Sequence, residues 1–508
     1  VDAGPRIKSE VTMAGAHGAE GRLRSPRGEA ATSQTPLVRA LPAISILIAA
    51  VLAAYANAFT ATWQFDDFAA ILGNPAAQSL AGWWHALPGI RPLLKLSYAF
   101  THETGGGVIA VHATNIAIHA LNACLLWALL RRWLLTLAPS LEHPDLAALL
   151  AALLFAVHPA ATEAVTYASG RSISLAATFC LGALLADDVS RAHPSDRTLA
   201  WSGPAAFALA LAVRETALVI PVIPLLRAWA TGRSLRAEFR RLRRYALVAA
   251  IAAVAAALTP GYQRFFGASL DARSLVEQAM GQLLAHGYLL TQSLLGVCNI
   301  DPDLRVPAHV SPALIASALL LAVLIATMFS SRRHRPWLAF AIGWYFVLLA
   351  PANSLLPRLD LVNDRHLYLA VAGPALALSC VLVGACARPA GRLLACASAL
   401  VLCTAAAFAT AQRNTDYRSE VALWQATVRD SPDKARAWLN LGYAYRLAGD
   451  TPQAAAAYRC ALALEPDNEQ AAINLGLAAP EDAGPMQCPA RQAVREAASP
   501  SRTEKRRG

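Results

Sequence analysis

Apolar runs of bilayer length recur along this chain and constrain its fold more than any other feature. Residues 43–56 and 312–329 are dominated by Ala, Leu, Val and Ile. Roughly a dozen windows approach the ~20 apolar residues that a helix needs to cross a hydrocarbon core. They lie near 42–60, 108–130, 145–164, 171–187, 199–213, 215–230, 245–260, 275–297, 312–329, 336–351, 366–386 and 393–411. Charged residues make up 15% of the chain, against ~25% in soluble proteins. The fold class that follows is all-α, a polytopic helical membrane protein. The net charge of +11 comes as short clusters between apolar runs and not as a basic face, so a nucleic-acid module is excluded, as is a disordered chain. Nine cysteines occur without any C-x-x-C spacing, so neither a zinc site nor a disulfide framework is indicated, and no metal or cofactor is expected.

Basic residues stay on the cytoplasmic side of a membrane, which gives the spans a parity. Residues 1–41, polar and without apolar period, read as a disordered cytoplasmic tail. The loops with Arg131 and Arg132, with Arg191 and Arg197, and with Arg227 to Arg244 then fall inside in turn. Arg332, Arg333 and Arg335 join them only if one earlier window does not cross. The window 275–297 carries Glu277, Gln278, Gln282, His286 and Gln292, and reads as interfacial or re-entrant. About eleven spans then fill residues 42–411, and the chain beyond emerges outside.

The outer segment reads as a short soluble helical repeat over 418–479. Trp438, Leu441, Gly442, Tyr445, Ala454, Tyr458, Ala461 and Pro466 fit the tetratricopeptide template, with half a repeat on each side. Such a stack can cap the membrane domain, form a dimer contact or hold an acceptor. Residues 480–508 read as a disordered basic tail.

With sides assigned, the polar motifs gather at the outer face. Asp66 and Asp67 follow the first span in an aromatic-rich loop, ahead of Arg91-Pro92. A carboxylate withdrawn from water and aimed at a hydroxyl can act as general base, although a bare Asp-Asp also suits a turn or helix cap. His112, Asn115, His119 and Asn122 fall within an arc of about 80° on one helix, a stripe that must face the bundle interior or a cavity. His158, Glu163 and Arg171 surround the outer end of the third span, Arg214-Glu215 interrupts an apolar stretch, and Asp360, Asp364 and Arg365 lie in a further outer loop. Several arginines facing one pocket suit an anionic group, because guanidinium matches phosphate oxygens in a fork.

Taken in order, these segments resemble the transmembrane and tetratricopeptide-repeat O-mannosyltransferases and their bacterial relatives, glycosyltransferases of the GT-C fold. The resemblance rests on Phe65-Asp66-Asp67, Arg91-Pro92, His112 with Asn115 and His119, FAVHPAATEAVTYASGR at 155–171, Arg214-Glu215, LAPANSLLP at 349–357 and DRHLYL at 364–369. It implies an enzyme of the bacterial inner membrane, with catalytic loops and repeat on the periplasmic side. The donor would be a polyprenyl-phosphate-linked sugar, drawn from the membrane lipid, and the acceptor a hydroxyl of a protein or glycan, with no nucleic acid as partner. Asp66 or Asp67 would be the base of an inverting transfer. Arg91, Arg171, Arg214 and Arg365 would face the phosphate, and His112, His158, Glu163, Glu215 and Asp364 would contact the sugar or support the residues that do. A membrane scaffold displaying the repeat, or a transporter of lipid-linked sugars, are the rival classes. The gathering of charge at one face, without charges at midplane, speaks against the transporter.

Overall fold

A computed structural model describes residues 36–478, except 88, 271–272, 297–298 and 308, together with Cys488. Of the expected tails at 1–41 and 480–508, residues 1–35 and, save Cys488, 480–508 lie outside the described residues, while 36–41 open the first helix, Pro36–Tyr55. The chain divides into Val1–Pro42 and Ala43–Gly508, and every element beyond the start of the first helix belongs to the second unit. The described secondary structure is entirely helical.

Among the described residues, five helices are long and apolar enough to cross a membrane: Ala40–Thr60, Gly107–Leu137, Ala168–Ser190, Pro312–Ser331 and Pro389–Arg418. The number rises to seven if the bent pairs Pro144–Ala156 with Pro159–Val165, and Asp364–Ala370 with Ala372–Cys386, each count as one span. The figure of about eleven therefore depends on shorter elements. The windows near 199–213, 215–230 and 245–260 become Arg197–Val213, Val222–Ala230 and Arg243–Leu258, of 17, 9 and 16 residues. Arg214, extended at φ −157°, ends the first of these.

Local chemistry starts the helices where the apolar runs begin. Asp196 accepts from the N–H groups of Thr198 and Leu199, and Ser311 accepts from Leu314 ahead of a helix that opens on Pro312. Ser274 and Glu277 form a reciprocal cap on Leu275–Leu295. The polar residues of that helix turn toward protein carbonyls. Gln278 donates to Ser354 (2.8 Å) and Gln282 to Leu361 (3.0 Å).

The helix Gly107–Leu137 packs against Pro144–Ala156 and Arg171–Ser190. Its stripe faces the interior and is spent on joining helices. His112 reaches the carbonyl of Ala61 (3.2 Å), Asn115 that of Val165 (3.2 Å), and His119 that of Ala156 (2.9 Å), while Asn122 donates to the Ser174 carbonyl (2.8 Å). The basic loops converge. Arg132 and Arg227 both pair with Asp188, Arg191 pairs with Glu238, and Arg332 donates to the carbonyl of Trp229.

Near the C-terminus, Ala435–Leu447 and Thr451–Leu464 form the helix pair of the repeat, between Glu420–Asp430 and Glu469–Ala478. A Cβ on Gly442 would stand 2.5 Å from the Tyr458 ring, which explains the glycine at the point where the two helices are closest. Cys460 and Cys488 form a disulfide, brought together by folding across 28 residues rather than by any spacing signature.

Candidate active site

After the 3-10 turn Ala56–Thr60 the chain folds back through residues 64–67, and its adjacent aspartates part company. Asp67 is fully buried, and its carboxylate accepts from the backbone N–H groups of Gln64 (3.0 Å) and Ser169 (2.8 Å). Asp66 is exposed, its own N–H donating to the Tyr167 hydroxyl (2.9 Å). It lines a cleft of about 230 Å³ with Phe65, Glu163, Tyr167, Asp301, Asp360, Arg365, Trp424 and Arg436. Phe65, just before it, holds φ at +40°, the left-handed region that bulky side chains avoid. Its ring stands edge-on to Trp424 at 5.2 Å.

Although the Asp66 side chain is open to the cleft, desolvation by the surrounding cleft walls raises its carboxyl above the ordinary aspartate value. Arg365 opposes that rise, Asp360 adds to it and Arg436 opposes it. Asp67 is pushed up to about 7 by its deeper burial, against the two backbone donors that favour its ionised form.

Opposite Asp66, Glu163 lies 3.8 Å from the Arg365 guanidinium. Asp364 turns away from the cleft and accepts from the Asn299 N–H (2.7 Å) and the Tyr288 hydroxyl (3.1 Å). The far wall comes from the repeat region. Arg436 joins Asp301 (2.8 Å from Nε) to Asp360 (3.0 Å from Nη2), Lys434 also pairs with Asp301, and Ser431 binds Asn299. Gln64 donates to the Tyr417 carbonyl, which ties the aspartate loop to the same region.

Arg365 also lines a second cavity of about 80 Å³. Its walls include Ile173, Ala177, Cys180, Ile220, Leu348 and Leu369, and its polar groups include Arg214 and His366. Arg214 is buried, donates to the Ser172 hydroxyl (2.8 Å), and forms no ion pair among the described residues.

The remaining predicted residues line neither cavity. Arg91 and Glu215 close on each other as a two-pronged pair (3.0 and 2.5 Å). Arg171 is wholly buried, donating to Asn115 (2.7 Å), Thr101 (2.9 Å) and the carbonyls of Ser97 (2.9 Å) and Val111 (3.2 Å) over the Tyr98 ring. His158 caps the turn at Pro159–Ala161 and reaches the Ser293 carbonyl (3.1 Å), and His112 holds Ala61. Among the described residues no cluster of three or more His, Cys, Asp or Glu is arranged for a metal ion. Asp301, Trp424 and Arg436 are absent from the sequence reading. The break after 275–297 is visible in Asn299 to Asp303, but nothing local says that a helical repeat will fold onto it.

The fold is that of a helical membrane protein carrying a tetratricopeptide repeat, and the repeat family matches residues 435–468. The chain is 33% identical over 142 residues to protein O-mannosyl-transferase Tmtc1 of Drosophila melanogaster, covering 25% of this chain and 16% of that protein. It is 26% identical over 175 residues to protein O-mannosyl-transferase TMTC3 of Mus musculus, covering 31% and 18% respectively. This distant homology agrees with the resemblance noted in the sequence, and the matches span under a fifth of those relatives' length. No solved structure matches the chain.

Proposed function

We propose that this protein is a membrane glycosyltransferase that moves a sugar from a polyprenyl-phosphate donor to a hydroxyl acceptor at the periplasmic face of a bacterial inner membrane. The observation that carries this reading is the meeting of two unlike cavities at one cation. The cavity with apolar walls and Arg214 suits a phosphate and the start of its lipid tail, and the cleft with Asp66 suits a hydroxyl. Arg365 belongs to both. The relatives' names, which describe protein O-mannosyl transfer, support a mannose donor and a Ser or Thr acceptor.

In the mechanism this implies, the acceptor oxygen forms a bond to the anomeric carbon while the bond from that carbon to the phosphate oxygen breaks. The hydroxyl proton passes to the Asp66 carboxylate. Polyprenyl phosphate leaves with the electron pair, its charge met by Arg214 and Arg365. Direct displacement inverts the anomeric centre. Asp67 anchors the loop, and Arg91, Arg171, His112, His158 and Glu215 hold the scaffold around it.

The test uses the full chain in lipid nanodiscs with polyprenyl phosphomannose and polyprenyl phosphoglucose as donors, and threonine peptides or water as acceptors. Transfer to peptide with inverted anomeric configuration is expected, together with donor affinity weakened about tenfold or more in Arg214→Gln. Absence of transfer from either donor to either acceptor would overturn the reading.

A further inference from the structure

The strained backbone at Phe65 calls for a cause, because a left-handed aromatic residue persists only where its surroundings over-determine it. The surroundings here come from the helix Glu420–Asp430, ahead of the repeat. Trp424 meets the Phe65 ring edge-on, and the Glu420 carboxylate stands beside the Phe65 backbone and the Trp424 side chain. Phe65 itself remains 42% exposed at the cleft, next to Asp66. On the same side Arg436, 48% exposed, spans Asp301 and Asp360.

We infer that the repeat region is part of the active cleft and not a tethered appendage. Through Trp424 and Glu420 it holds Phe65 against the acceptor and aims Asp66, and through Arg436 it balances Asp301 and Asp360 across the cleft. This deepens the transferase reading and rests on it. Phe65 is then a residue that contacts the acceptor, and Trp424, Glu420 and Arg436 are positioning residues.

The charge balance follows from what faces Asp66. On its own loop stands Asp67, buried behind it, and from the turn after the third predicted span come Glu163 and Tyr167. Loop residues Asp301 and Asp360 add negative charge, and Arg365 and Arg436 oppose it. Glu420 is engaged with Phe65 and Trp424. Removing the charge of Arg436 leaves Asp360 without that partner and Asp301 with Lys434 alone, which disfavours the carboxylate form of Asp66.

The test is the pH dependence of transfer to a threonine peptide by the full chain in nanodiscs, for wild type, Arg436→Gln and Arg436→Lys. Arg436→Gln is expected to move the acidic limb to higher pH by roughly half a unit or more, and Arg436→Lys to restore it. A purely structural latch would lower transfer equally at every pH. In a second arm, Phe65→Gly removes the ring that faces the acceptor, so the KM for peptide should rise about tenfold while kcat falls less. An unmoved limb in Arg436→Gln together with unchanged peptide KM in Phe65→Gly would overturn the inference and leave the transferase reading standing. A wild type inactive toward peptide and water would remove both.

Discussion

Asparagine at position 66 keeps the side chain's size but cannot take a proton, and the Asp66 carboxylate is exposed to the cleft. Asp66→Asn should therefore lose about 10²- to 10⁴-fold in transfer with donor affinity and Tm unchanged. Asp67→Asn should behave differently. Its carboxylate accepts two backbone N–H groups in full burial, and an amide nitrogen cannot accept either of them. A cost of about 1–3 kcal/mol should appear as a lower Tm, with transfer falling only as far as the loop loosens. Near-normal transfer by Asp66→Asn would contradict this division. The same carboxyl sets a pH dependence. On the proposed mechanism Asp66 works as carboxylate, and desolvation within the cleft raises its folded-state value, so activity should fall as pH drops through a limb lying above the ordinary ~3.9. A kcat/KM profile flat down to pH ~4 would contradict it. Residue identity alone does not separate these roles. Arg171 and Arg214 look alike in sequence, yet one is enclosed by its own helices and the other lines a cavity without a counter-ion among the described residues.

Among the elements, the short turns at Thr162–Val165 and Ala168–Gly170 set the back of the cleft, supplying Glu163, Tyr167 and the N–H of Ser169. They are pressed together at Gly170, where a Cβ would stand 2.0 Å from the Glu163 carbonyl oxygen and 3.0 Å from the Ala164 Cα. Backbone cannot swing aside as a side-chain end can. Gly170→Ala should cost about 1–3 kcal/mol and lower transfer as well, read as Tm and rate in one detergent preparation. A variant with wild-type Tm would show that the turns can separate freely. Much of this was legible beforehand in outline. The apolar windows located the helices and the 34-residue template located the repeat, because both signals are periodic and local. The break at Arg214-Glu215 was legible, but the window 215–230 shortens to Val222–Ala230 because Glu215–Val219 winds as a 3-10 turn, which hydropathy does not register. The far wall of the cleft was not legible at all, because Asp301 and Arg436 are brought together across 135 positions by tertiary packing.

At the scale of the whole molecule, the converging basic loops lie apart in sequence from the cleft motifs, and the disulfide offers a chemical reading of which side is which. Disulfides persist in oxidising compartments and not in the cytosol. If the repeat faces the periplasm, thiol labelling of intact cells should find Cys460 and Cys488 oxidised, and reporter fusions at 334 and 440 should report opposite sides. Free thiols at both positions, with 440 reporting cytoplasm, would invert the topology. Within that frame the double exposure of Arg365, to the apolar cavity and to the acidic cleft, has a thermodynamic consequence. One guanidinium cannot be fully committed to a phosphate and to Glu163 at once. On the proposed function, occupying the cavity that takes the donor should then alter affinity in the cleft that takes the acceptor, and linkage requires the acceptor to alter donor affinity by the same factor. The two ligands of such a site would titrate each other even with chemistry blocked by Asp66→Asn.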